Sequence, residues 1–151
     1  MSLFKKIVVP VDGSPPSDGA VALAIRLARD QDARLLFVHV CEAAKIAAMV
    51  SAPAVGVDPS YALDAEREAG EDALRSAGAA ALAGAVPSES ILEDGGSVDS
   101  IVAIAKRQAA DLIVIGSHGR GGIARALLGS VAEGVLRHSD IPVLVSRHRS
   151  E

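Results

Sequence analysis

Aromatic side chains are scarce in this sequence: two Phe, one Tyr and no Trp among 151 residues, although half of the residues are hydrophobic. A core must therefore be built from Val, Ile, Leu and Ala, which suits parallel strands covered by Ala-rich helices. Cysteine is limited to Cys41, so no intrachain disulfide can form and nothing points to an oxidising compartment. Cys41 follows the apolar run Leu35–Val40 and reads as a small buried side chain, not a redox centre. A basic excess is missing too. The net charge of −4 argues against the broad basic face that grips a phosphate backbone, so no nucleic-acid partner is expected. Any anion site would be local, made from backbone amides and a few arginines. The one long apolar stretch, Ala43–Val57, is broken by Lys45 and Pro53 and is too short to span a bilayer. Met1–Phe4 leads straight into a strand-like segment, leaving no room for a signal peptide. The expectation is a cytoplasmic protein with no membrane partner.

What is present is an alternation of two kinds of segment. Lys6–Asp12 (KIVVPVD) is β-branched and ends in a turn signal, as a buried strand does. Asp18–Arg29 places Val21, Ala24, Ile25 and Ala28 on one helical face. Arg34–Cys41 is a second strand. Glu42–Ser60 has no clean period and carries Pro53, Gly56 and Pro59, so a long loop with at most one helical turn is expected. Tyr61–Ala83 reads as a helix, Ser88–Glu93 as a short strand, and Ser97–Ala109 as a helix with Ser97 at its N-cap. Asp111–Gly116 is a fourth strand, Ser130–His138 a last helix, and Ile141–Ser146 a fifth strand. Such alternation implies βαβ units and a parallel sheet with right-handed crossovers, the α/β class. No repeat or linker divides the chain, and its length suits a single domain over residues 1–151.

The segment richest in chemistry is Gly116-Ser-His-Gly119, then nine residues, then Gly129-Ser130. Ligands of open parallel sheets bind beyond the carboxyl ends of the strands, and Gly116 ends strand four. Glycines there let backbone N–H groups approach a polyphosphate and permit positive φ. Gly129-Ser130 then opens a helix whose N-terminus offers free N–H donors and a partial positive charge. Ser130 with Glu133 is also a capping box that any helix can use, and Gly116 and Gly119 can be plain turn residues. Cap and anion site do not exclude each other, and the residues alone leave both open. On the phosphate reading, Val at Gly129 would fill the space of the phosphates with the fold intact. Ser130→Ala would lose a cap worth about 1 kcal/mol.

Gly116-x2-Gly119-x9-Gly129-Ser130 after Asp111–Ile115 resembles the ATP-binding signature of universal stress proteins. The resemblance runs through the opening KKIVVPVDGS, the VHV of strand two and GSVAEGVLRHSDIPVLV at the end. It implies a Rossmann-like α/β fold, an open five-stranded parallel sheet of order 3-2-1-4-5 with helices on both faces. It also implies ATP as ligand, with Mg²⁺, in a nucleotide-dependent stress-response module. By position, Asp12 would meet the adenosine end, and Pro10 and Val40 would frame the adenine. Gly116 and Gly119 would approach ribose and phosphates, while Gly129, Ser130 and Val131 cradle the phosphates. Without the resemblance Asp12 reads as a turn residue before Gly13. A homodimer through the last strand is implied as well, with Val143 and Val145 adding apolar contact across an edge that needs cover.

Other motifs fail on context. Gly119-Arg-Gly-Gly-Ile-Ala124 fits a dinucleotide fingerprint but follows strand four, with too little chain left for another βαβ unit. Gly95–Ser100 is better explained by capping of the Ser97 helix. The loop has no Walker A lysine; Arg120 and Arg125 could pair with phosphate or simply be solvated. His118 has no identifiable carboxylate or nucleophile partner, and His39, His138 and His148 give no metal spacing. No catalytic residue and no protein metal site is therefore assigned, which favours binding over chemistry. A slow Mg-dependent ATPase and a structural dimer without turnover are the alternatives.

Overall fold

The computed structural model describes residues 2–50, 58–118 and 128–147. Five parallel strands form one sheet in the order β3-β2-β1-β4-β5: β1 Lys6–Pro10, β2 Arg34–Cys41, β3 Ser88–Asp94, β4 Leu112–Gly116 and β5 Val143–Ser146. Successive strand residues alternate between faces, and the core divides accordingly. Ile7, Val9, Leu35, Phe37 and Val114 meet α1 (Pro15–Gln31) and α3 (Pro59–Ala83), which contribute alanines such as Ala24, Ala28 and Ala77. Val8, Leu36, Val38, Ile113 and Ile115 meet α4 (Ser97–Arg107) and α5 (Ser130–His138) through Ile104, Ala105, Ala132 and Val135. Small helix residues let the helices sit close on the branched strand residues, which is how the chain fills a core almost without rings.

Several boundaries differ from expectation for identifiable reasons. α1 begins three residues before Asp18, because Ser14 accepts from the Ser17 N–H and Pro15-Pro16 fit the first turn. α3 begins at Pro59 with Asp58 accepting from the Ser60 N–H. The expected loop Glu42–Ser60 contains a two-turn helix, α2 (Ala43–Val50). None of the α2 residues is buried, so its sequence carries no stripe to read, only alanine-rich helix propensity. Ser97 is not the cap of α4: Gly96 holds that position and Ser97 is the first helical residue. Asp111 stands before β4, its carboxylate accepting from the Lys5 and Lys6 N–H groups. β5 begins at Val143, since Pro142 has no N–H to pair.

Candidate functional site

The chain leaves β1 toward β2 on one side and pairs β1 with β4 on the other, so the strand order reverses between β1 and β4. Connections diverge at such a switch and leave a crevice at the carboxyl ends of the strands. A cleft of about 730 Å³ lies there. Seven of the eight residues expected at the site line it: Pro10, Asp12, Val40, Gly116, Gly129, Ser130 and Val131. Gly119 lies outside the described residues, as do Arg120 and Arg125.

On one side stands the start of α5. Gly129 is the N-cap, and having no side chain it supplies no acceptor to the first-turn amides. The expected capping box is absent: Ser130 is already helical, and Glu133 pairs with Arg137 at 3.0 Å. Nor does Gly129 need positive φ, since its φ is −62°. Its requirement is close approach. The Gly129 N–H donates to the Ser117 carbonyl at 2.6 Å, and a Cβ would lie 3.0 Å from that oxygen and 3.2 Å from His118 Cα. A side chain there would press on the β4 loop backbone before reaching any ligand, which corrects the expectation that valine is harmless to the fold. Gly116 is held likewise, with a Cβ placed 2.7 Å from the Pro16 carbonyl oxygen at the start of α1.

The β1 end is shaped by Asp12. Its Oδ1 accepts from the N–H and hydroxyl of Ser14, at 2.9 and 2.5 Å, while Gly13 takes φ +79°. The turn role and a place on the cleft wall coexist, and the Asp12 N–H donates to the Ser17 hydroxyl oxygen at 3.1 Å.

Sequence reasoning missed a second group of lining residues. His39, buried on β2, donates from Nδ1 to the Val11 carbonyl at 2.7 Å and turns Nε2 to Glu66 Oε1 on α3 at 3.1 Å. The ring fits because Gly70 leaves room; a Cβ there would come within about van der Waals overlap of the imidazole. A glycine inside an otherwise strong helix was the available signal. Glu42 Oε1 accepts from the Ser97 N–H at 3.2 Å, and Lys45 lies 3.3 Å from Oε2. Burial pushes the Glu42 carboxyl up, but the Ser97 and Lys45 contacts outweigh it and hold it below its ordinary value. Nothing local in the sequence announces that pair. His118 also lines the cleft; Nδ1 lies 3.2 Å from the Ser117 hydroxyl, and the buried Nε2 has no hydrogen-bond partner among the described residues.

The cleft thus combines an α5 N-terminus without a side-chain cap, two tightly packed glycines and apolar strand ends. The universal stress protein family model matches residues 3–147. The chain belongs to the universal stress protein family. A universal stress protein of Methanocaldococcus jannaschii is 38% identical over 146 residues, which cover 95% of this chain and 82% of that protein. A solved family member from Burkholderia pseudomallei is 33% identical with a TM-score of 0.76, covering 96% of this chain and 97% of that one. Another universal stress protein, solved in complex with cAMP, is 30% identical with a TM-score of 0.66, covering 95% and 97%. Among the described residues no helix is long and apolar enough to cross a membrane, and no cluster of three or more His, Cys, Asp or Glu could hold a metal ion.

Proposed function

We propose that this universal stress protein is an ATP-binding regulatory module whose nucleotide lies in the cleft at the β1–β4 switch. The observation that carries the reading is the start of α5. Its first-turn amides open on the cleft with glycine at the N-cap, the arrangement that receives a phosphate. On this reading Gly129, Ser130 and Val131 cradle the phosphates, Gly116 and Gly119 approach the ribose and phosphates, Asp12 meets the adenosine end, and Pro10 and Val40 frame the adenine. The family relative that holds cAMP supports an adenine ligand. Mg²⁺ would ride on phosphate oxygens and water, as it commonly does, because the acids lining the cleft (Asp12, Glu42 and Glu66) form no three-ligand cluster. Nucleotide occupancy would then change a partner surface and so report on the cell's state.

Native mass spectrometry of freshly purified protein tests the proposal. Retained ATP supports a binding module, ADP points to slow turnover, and an empty protein that also ignores added ATP contradicts it.

A further inference from the structure

Two helix N-termini open on the cleft, α4 at Ser97 and α5 at Ser130, and they are finished differently. Gly96 and Gly129 occupy the N-cap positions, so neither helix brings its own acceptor. At α4 the acceptor comes from 55 residues away: Glu42 Oε1 takes the Ser97 N–H at 3.2 Å. Glu42 directly precedes α2, a helix of eight residues with none buried. A helix that short is unstable by itself, so its position depends on what it touches. It packs on α3, is fastened to α4 by Glu42, and carries Ile46 and Met49 on the cleft wall.

We propose that Glu42 is a positioning residue of the nucleotide cleft. Its carboxylate takes the anion position at the start of α4, so that α5 receives the phosphates, and the same bond docks α2 as the wall of the base end. The inference rests on the adenine-nucleotide reading above and adds to it the residue that fixes its direction. A second anion at α4 would meet a like charge where the Ser97 amide is already engaged. Phosphate therefore goes to α5. The base then extends past β1 toward β2, two strand spacings or roughly 10 Å across the sheet edge. There Pro10, Val40, Ile46 and Met49 supply apolar surface.

The test compares the full chain with Glu42→Ala and Glu42→Gln, the latter keeping an oxygen that can accept from Ser97 without the charge. Affinities for ATP and adenosine are measured by calorimetry, and amide exchange over Ala43–Val50 is followed without ligand. Adenosine has no phosphate, so it reports the base end alone. Glu42→Ala is expected to weaken both ligands by about tenfold, 1.4 kcal/mol, and to speed α2 exchange at least as much. Glu42→Gln is expected to restore slow exchange and adenosine affinity. Faster exchange with unchanged affinities would make Glu42 a helix cap only and overturn the proposal, as would a Glu42→Ala protein identical to the parent in both readouts. A parent that binds neither ligand would fail the functional reading and overturn the positioning role with it.

Discussion

At the scale of single residues, Gly129 and Ser130 separate fold from binding. A Val at Gly129 collides with the backbone of Ser117 and His118, so that variant is expected to lose stability by about 1–3 kcal/mol and nucleotide affinity together. Thermal unfolding without ligand checks the first part. Ser130→Ala is the cleaner probe, because the side chain is exposed and is not the cap. Its stability should change by no more than about 0.5 kcal/mol. If the hydroxyl donates to phosphate, ATP affinity should fall roughly tenfold, the worth of one hydrogen bond to a charged group. A large drop in melting temperature together with unchanged ATP affinity would reverse both assignments. The glycine positions were legible because their spacing is short and lies in one loop. The fit of His39 beside Gly70 was not, because those residues meet only after β2 and α3 pack.

At the scale of elements, α2 shows how long-range bonds decide what propensity leaves open. The Glu42 carboxyl is held below its ordinary value by Ser97 and Lys45, so its folded-state pKa lies under its unfolded one. The stabilisation is then complete above the unfolded value of 4.5 and is lost as pH falls through the lowered folded value. Unfolding of the parent and of Glu42→Gln, measured from pH 7 down to pH 3, should show the parent's advantage shrinking in acid. An advantage that grows on acidification would contradict the capping role. The βαβ alternation was readable because β1, β2 and β4 and the helices α1, α3, α4 and α5 carry apolar patterns set by burial, and the apolar residues of β3 and β5 fall at strand-like spacing between turn signals. α2 has no buried residue and left no such pattern, and the starts of α1 and α3 were hidden in prolines that resemble loop signals.

At the scale of the whole molecule, the alternation implied a parallel sheet, but the order 3-2-1-4-5 came from the family resemblance, since local sequence does not say which strands pair. That order leaves β5 at an edge. Val143 and Val145, expected to meet a partner, are partly buried against the α4–α5 core; Leu144 beside them and Leu136 on α5 are more exposed. A homodimer through β5 is proposed on that surface, and sedimentation should find dimers at micromolar concentration and monomers for Leu144→Lys. A monomeric parent would end that proposal. The central claim is that the cleft at the β1–β4 switch selects an adenine nucleotide. Calorimetric titration of the parent protein with ATP and with GTP tests it most directly. Backbone groups near Val40 should leave a mismatched guanine edge buried and unpaired, giving ATP a preference of about tenfold or more. Equal affinities, or no binding of ATP, would contradict it.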